Sequence, residues 1–230
     1  MRLFSSLAEA YSEIGRDLYK GPKLTFTRVQ QRTGESLPGR ELLGYTYSIE
    51  PGGIPTEAGE IEQLSSGAIS SLWLESEELD RAAEDLTSNS SKLSPALRST
   101  FEGSWQSYTY PERLFGAGNA LSTALHGSPD SRRAFWPIFH PEDSLRAASP
   151  TRIPCSLGYQ VLIRNTTQGP QLLLFYLQRS CDYDNFFLSD VYLAHAFQRE
   201  LASRLSVPFG QFMHFIVSLH SFAVEGTEIY

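Results

Sequence analysis

Two apolar segments on either side of a short polar turn constrain the fold of this 230-residue chain more than any other feature. Residues 159–163 and 172–177 are rich in β-branched, aromatic and leucine side chains, and residues 165–170 are rich in turn formers. Short apolar runs separated by a segment of this kind are typical of a β-hairpin. We therefore predict two antiparallel strands joined by this turn.

A helix and another strand are predicted after the hairpin. Four apolar residues recur at helical spacing within residues 190–205: Ala194, Phe197, Leu201 and Leu205. Ser189 and Asp190 are the candidates for the N-cap of this helix, because both side chains can accept a hydrogen bond from its first turn. Residues 212–222 predict a closing strand.

The N-terminal part predicts one helix followed by two strands. Five apolar residues within residues 4–18 are spaced alternately by three and four: Phe4, Leu7, Tyr11, Ile14 and Leu18. Residues 24–29 alternate as a strand, and residues 42–49 form a second strand that ends at Pro51-Gly52-Gly53.

The middle of the chain is less regular. Residues 69–86 favour an acidic helix, Asn89-Ser90-Ser91 favours an exposed loop, and residues 115–127 predict a short helix. We interpret residues 57–104 as a divergent, partly loop segment within one domain that spans residues 1–230. The whole pattern predicts an α+β fold with a mixed or antiparallel sheet packed by helices.

Charge and composition argue against several classes of partner. The formal net charge of −7 opposes direct nucleic-acid binding, which normally needs a basic face. No apolar run approaches the roughly 18 residues of a membrane span, and the N-terminus lacks the apolar stretch of a secretory signal. Cys155 and Cys181 do not make a disulfide framework or a metal-binding set. We expect a cytoplasmic protein without a metal.

Four short motifs follow one another in the second half of the chain. They are Ser128-Pro129-Asp130-Ser131-Arg132-Arg133, Pro154-Cys155, Tyr176-Leu177-Gln178-Arg179-Ser180-Cys181-Asp182 and Ser218-Leu219-His220. Tyr108, with Arg113 five residues later, is a weaker fifth match. In order and spacing, residues 108–222 resemble the thymidylate synthase superfamily, and the resemblance implies a single domain with that family's fold.

The resemblance implies a reaction at C5 of a pyrimidine nucleoside monophosphate. The thiolate of Cys155 would add to C6 of the base, so that C5 can attack the one-carbon unit of 5,10-methylenetetrahydrofolate. Arg179 and Ser180 would bind the nucleotide phosphate. Arg132 and Arg133 would reach the phosphate in the neighbouring subunit, which implies a homodimer.

The resemblance also implies the remaining contacts of the nucleotide. Arg28 and Arg32 are two candidates for an N-terminal arginine on the phosphate. Contacts with the base or ribose are implied for four further residues: Gln178, Asp182, His220 and Tyr108. His220 is equally consistent with a structural histidine in the core, and we interpret Cys181 as a buried, inert thiol.

Asp190 bears on the choice of base. It stands eleven residues after Arg179, where thymidylate synthases carry asparagine and the deoxycytidylate hydroxymethylases carry aspartate. A carboxylate only accepts hydrogen bonds, so it pairs with the N4 amine of cytosine and opposes O4 of uracil. We therefore predict a cytidine nucleotide and count Asp190 with Cys155 as catalytic. A helix N-cap role for Asp190 is a compatible alternative.

Several positions depart from the family pattern. Ser156 stands in place of the histidine after the nucleophile, Ser70 aligns with the catalytic glutamate three residues before Trp73, and Phe222 replaces a ribose-binding tyrosine. The sequence ends eight residues after Phe222, where the family continues into a tail that covers the folate.

Three functions are therefore weighed. The first is a C5 hydroxymethyl- or methyltransferase acting on CMP or dCMP. The second is a catalytically inactive nucleotide-binding paralogue that serves as a sensor or regulatory partner. The third is a thymidylate synthase, which Asp190 and Ser156 both oppose.

Overall fold

The structure is a computed structural model that describes residues 1–20, 24–29, 36–65, 75–88, 109–147 and 153–222, with the backbone alone for residues 24–29 and 36–38. Its elements in chain order are β1 (Arg2–Phe4), α1 (Leu7–Lys20), β2 (Leu24–Val29), β3 (Ser36–Ile49), α2 (Ala58–Ser65), α3 (Ser76–Thr87), α4 (Tyr110–Leu114), α5 (Ala117–Gly127), β4 (Phe135–Pro137), α6 (Pro141–Leu145), β5 (Ser156–Thr166), β6 (Gly169–Gln178), β7 (Cys181–Asp182), α7 (Phe187–Leu205) and β8 (Phe209–Phe222).

Within these residues the strands form one eight-stranded mixed sheet in the order β1–β3–β8–β6–β5–β4, with β2 beside β3 and β7 beside β8. Neighbouring strands are antiparallel except in the pairs β1/β3, β6/β8 and β7/β8, which are parallel. The predicted α+β fold, with a mixed sheet packed by helices, is confirmed.

The predicted hairpin is formed by β5 and β6. The two strands pair from Ser156 opposite Gln178 to Thr166 opposite Gly169. Gly169 has a φ of 101°, a backbone conformation that glycine adopts without the steric cost that a side chain would impose. The antiparallel pairing places the start of β5 beside the end of β6, which is where the predicted Cys155 and Arg179 lie.

One face of the sheet packs against α1 and α7. Helix α1 buries Leu7, Ile14 and Leu18 as its spacing predicts. The prediction that Phe4 belongs to this helix was wrong, because Phe4 lies in β1 and pairs with Ile49 of β3. Phe4 is nevertheless buried in the same core.

The opposite face, which we call the outer sheet face, carries exposed apolar side chains from three strands. Phe215 and Val217 of β8 are 42% and 57% exposed, and Phe135 of β4 is 43% exposed. Leu177 of β6 is half-buried and pairs with Phe215. These side chains alternate along β6 and β8 with buried ones that face the helices.

Helix α7 begins earlier than the sequence predicts. It starts at Phe187, and Phe186 is the N-cap residue without a side-chain cap. The N-cap roles considered for Ser189 and Asp190 were therefore wrong. Burial explains the difference, because the first turn packs Phe187 and Leu188 into the core. Asp190 lies within the helix, and its carboxylate accepts a hydrogen bond from Gln178 instead.

The middle segment is described in part. Helix α3 overlaps the predicted residues 69–86 and ends one residue later, at Thr87. Residues 66–74 lie outside the described residues, and α2 was not predicted. The predicted loop at residues 89–91 also lies outside them. Helix α5 confirms the helix predicted for residues 115–127. In the ranges described, no helix is long and apolar enough to cross a membrane.

Candidate functional site

The nucleophile candidate and the motif arginine lie side by side. The amide of Arg179 donates to the carbonyl of Cys155 at 2.8 Å, as the pairing of β5 with β6 requires. Nη2 of Arg179 lies 3.9 Å from Sγ of Cys155, which is half-buried. A guanidinium at this distance stabilises a thiolate over a thiol by direct charge attraction.

Main-chain carbonyls hold the guanidinium in place. Nε of Arg179 donates to the carbonyl of Pro154 at 2.8 Å, and Nη2 donates to the carbonyl of Ile153 at 3.2 Å. Because the planar fork of arginine has several donors in fixed directions, these bonds set where its charge lies. The segment before Cys155 therefore orients the group that would stabilise its thiolate.

Asp190 is the second charged group of the site. The Nε2 amide of Gln178, the last residue of β6, donates to Oδ2 of Asp190 at 2.5 Å. Gln178 is 1% exposed and Asp190 is half-buried in the first turn of α7. The end of β6 thus connects the arginine beside Cys155 to the carboxylate on the helix.

Three hydroxyl groups form a cluster next to Cys155, in which Ser156 and Tyr176 are buried and Tyr110 is half-buried. Oγ of Ser156 lies 2.5 Å from the hydroxyl of Tyr176, and it donates to the hydroxyl of Tyr110 at 3.4 Å. Burial raises the pKa of Tyr110 above its ordinary value, and the nearby Cys155 and Asp190 raise it further. Tyr110 and Tyr176 are therefore neutral phenols at physiological pH, and can donate hydrogen bonds.

His214 extends the hydrogen bonds of Asp190 into the core. Its Nε2 lies 2.9 Å from Oε1 of Gln178, and its Nδ1 lies 2.9 Å from the hydroxyl of Tyr47. The imidazole stacks on Tyr176 with ring centres 4.5 Å apart and planes 9° apart. Burial lowers the pKa of His214 to about 3, so the ring is neutral at physiological pH.

Asp182 and His220 lie beside each other in β7 and β8. The carboxylate of Asp182 accepts from the amide and the Nδ2 group of Asn185, at 3.3 and 2.9 Å, and so supports the turn that leads into α7. The ring of His220 meets that of Phe222 edge to face at 5.3 Å. Ser180 is half-buried between Arg179 and β7. Roles of these residues toward a base or ribose stay predictions.

The other predicted phosphate ligands are dispersed. Arg132 and Arg133 are exposed on the loop between α5 and β4, where Ser131 accepts a hydrogen bond from the Arg133 amide. The backbone of Arg28 lies in β2, opposite Leu37 of β3. Arg32, Tyr108, Ser70 and Trp73 lie outside the described residues.

The sequence assigns no role to four residues around the site, Tyr47, Tyr110, Tyr176 and His214, although Tyr176 begins the third motif. The period of two along a strand was a usable signal for one of them, since it places Tyr176 on the same face as Gln178. No local pattern relates Tyr47 and His214 to Gln178, because their contact requires β3, β8 and β6 to be neighbours in the sheet.

The comparisons with known proteins bear on the fold. No family model and no curated protein matches the chain. Among solved structures, the thermostable thymidylate synthase A from Bacillus subtilis superposes with a TM-score of 0.67 at 14% sequence identity, covering 94% of this chain and 79% of that one. The chain therefore has a thymidylate-synthase-like fold, which the motifs of the second half also predict.

Proposed function

We propose that this protein transfers a one-carbon unit to C5 of a cytidine nucleotide, CMP or dCMP, as a hydroxymethyl- or methyltransferase. The observation that carries the proposal is the Arg179 guanidinium 3.9 Å from Sγ of Cys155, next to Gln178, whose side-chain amide donates to the carboxylate of Asp190. The thymidylate-synthase-like fold supports this class of reaction.

Cys155 would begin the reaction by adding to C6 of the pyrimidine. As the C–S bond forms, the C5–C6 π electrons shift onto C5, where they are conjugated with C4, so that C5 becomes a nucleophile. 5,10-Methylenetetrahydrofolate would be the co-substrate that supplies the one-carbon unit. Loss of the C5 proton and departure of tetrahydrofolate would leave an exocyclic methylene on C5. Addition of water to this methylene would give the hydroxymethyl product, whereas hydride from tetrahydrofolate, which becomes dihydrofolate, would give the methyl product. Expulsion of the Cys155 thiolate then restores the aromatic base. The segments that the resemblance assigns to proton transfer and folate closure, around Ser70 and after Phe222, lie outside the described residues.

Asp190 would select the base. Its carboxylate would accept a hydrogen bond from the N4 amine of cytosine, whereas O4 of uracil would place a second acceptor against it. Such a mismatch costs on the order of 1–3 kcal/mol, or about tenfold to a hundredfold in binding. Tyr110, a half-buried neutral phenol beside Cys155, would supply a hydrogen bond to the base, and the buried Tyr176 would support it through Ser156.

The outer sheet face supports the homodimer. It carries Phe135, Phe215 and Val217, which are 43%, 42% and 57% exposed, and exposed apolar surface of this kind marks an interface. Arg132 and Arg133 are exposed just before Phe135, and the proposal places them at the rim of this face. A second copy packed there would receive Arg132 and Arg133 near its own site. Replacing Phe215 and Val217 by aspartate should convert a dimer to a monomer in sedimentation.

A nucleotide-binding paralogue without turnover is the second candidate. The observation that favours it is the engagement of Arg179 with the carbonyls of Ile153 and Pro154, a structural role that survives without catalysis. Ser70 in place of the family's catalytic glutamate and Phe222 in place of its ribose-binding tyrosine point the same way. Such a protein would bind the nucleotide and act as a sensor or regulatory partner.

Release of tritium from [5-³H]CMP and [5-³H]dCMP in the presence of methylenetetrahydrofolate separates the two candidates. The wild type and Cys181→Ala should release tritium, and Cys155→Ala should release none. A wild type that releases none, yet gains thermal stability from a cytidine nucleotide, would favour the paralogue. Cys181 is the matched control because it is a buried thiol, 1% exposed.

A further inference from the structure

A continuous chain of hydrogen bonds leads from Asp190 into the core. Gln178 donates to Asp190, Oε1 of Gln178 meets Nε2 of His214, and Nδ1 of His214 meets the hydroxyl of Tyr47. Tyr47 and His214 are 0% exposed and Gln178 is 1% exposed. These three residues come from three different strands, β3, β8 and β6.

The direction of every bond in this chain follows from its two ends. A carboxylate only accepts, so the amide NH₂ of Gln178 must face Asp190 and its oxygen must face His214. His214 must then carry its proton on Nε2, and its Nδ1 lone pair accepts from the Tyr47 hydroxyl. The stack on Tyr176 holds the imidazole plane in this orientation.

We propose that Tyr47 and His214 are positioning residues that determine which atom of residue 190 faces the base. They hold the Gln178 amide so that it always presents a donor to residue 190, whatever that residue is. This inference rests on the proposed function, since it assumes that residue 190 contacts the base. It adds a source of specificity that lies in the core and does not touch the nucleotide.

The consequence is clearest in the variant Asp190→Asn. With the hydrogen-bond chain intact, Gln178 donates to the amide oxygen of the new asparagine side chain. The NH₂ group of that side chain then faces the base and can donate to O4 of uracil. Without the Tyr47 hydroxyl, His214 is released to take its other tautomer, and both amides can turn over. The side chain at position 190 then presents either atom, and the preference between bases is lost. With aspartate at this position, both carboxylate atoms are acceptors, so the same loss has little effect.

The test measures cytidine and uridine monophosphate affinities by calorimetry for four proteins: the wild type, Tyr47→Phe, Asp190→Asn and the double variant. We expect Tyr47→Phe to change the cytidine preference of the wild type by less than about threefold. Asp190→Asn should prefer uridine by about tenfold or more, and the double variant should prefer neither. A general packing defect would instead weaken both nucleotides equally in both backgrounds. Unchanged uridine preference in the double variant would overturn the proposal.

A measurement without nucleotide separates this inference from the proposed function. Long-range ¹H–¹⁵N spectra of ¹⁵N-histidine protein should show His214 as the neutral Nε2–H tautomer at pH 7, and Tyr47→Phe should add the other tautomer. An Nδ1–H tautomer in the wild type would show that the hydrogen bonds run in another direction, and would overturn the proposal. Wild-type protein that binds neither nucleotide, but shows the Nε2–H tautomer, would reject the proposed function and leave the direction of the chain established.

Discussion

The two halves of the candidate site differ in how they are held. The proposed base half consists of Asp190 with Gln178 and His214 behind it, and its supporting residues are almost fully buried. The proposed phosphate half consists of Arg179, held by main-chain carbonyls, and of Arg132 and Arg133, which are exposed. The base half is therefore organised before any ligand arrives. The phosphate half would be completed by a nucleotide and a second subunit.

Because of this difference, substitutions in the two halves should have different effects on stability and binding. A substitution in the base half should disturb stability, because it leaves buried polar groups without partners. It should also disturb selectivity where it changes the atom that residue 190 presents to the base. A substitution in the exposed part of the phosphate half should change binding and leave stability almost unaltered. Arg179 belongs between them, since it is half-buried and contacts both the main chain and Cys155.

The largest effect is expected for Arg179→Lys. A lysine ammonium cannot reproduce the planar fork that contacts Pro154, Ile153 and Cys155 together. We expect alkylation of Cys155 by iodoacetamide at pH 7 to slow by about tenfold, and tritium release to fall by about a hundredfold or more. Alkylation is measured in a Cys181→Ala background, so that one thiol reports. Equal alkylation rates for Arg179→Lys and for the protein that retains Arg179 would show that the guanidinium does not stabilise the thiolate.

The second effect is acid destabilisation through buried histidines. Burial lowers the pKa of His214 to about 3 and that of His195 to about 4. Between these values and 6.5 the unfolded chain binds more protons than the folded one, so stability falls as pH falls below about 6.5. Each histidine should cost about 2 kcal/mol between pH 7 and pH 5. Asp184 acts in the opposite sense, because burial raises its pKa.

Urea unfolding at pH 7 and pH 5 measures this loss. His214→Gln removes one of the two contributions, so its stability should depend on pH about half as steeply as that of the wild type. His126→Gln is the control, since His126 is exposed at the end of α5. An identical pH dependence in wild type and His214→Gln would mean that His214 is not held neutral by burial.

The sequence predicts these two halves unequally. Local patterns predict the hairpin of β5 and β6, and short motifs identify Cys155 and Arg179 at its two ends. The start of α7 was missed because the N-cap residue, Phe186, makes no side-chain capping hydrogen bond. The first turn is held by burial of Phe187 and Leu188 instead. The chain from Tyr47 to Asp190 could not be predicted, because it depends on the order of β3, β8 and β6 in the sheet. Sequence thus predicts contacts within a motif better than contacts between strands far apart in the chain.

The smallest effect on stability is expected for Arg132→Ala combined with Arg133→Ala. Both side chains are exposed, so the free energy of unfolding should change by less than about 0.5 kcal/mol. Nucleotide binding should nevertheless be lost if the arginines serve the partner's site. Mixing this variant with Cys155→Ala tests that point directly, because a mixed dimer holds one site with both Cys155 and the arginine pair. Random reassociation makes half of the dimers mixed, with one complete site of two in each, so tritium release should recover to about a quarter of the wild-type rate. A mixture as inactive as its components would place the arginines in their own subunit's site, and an arginine variant that binds nucleotide as well as the wild type would place them outside any site.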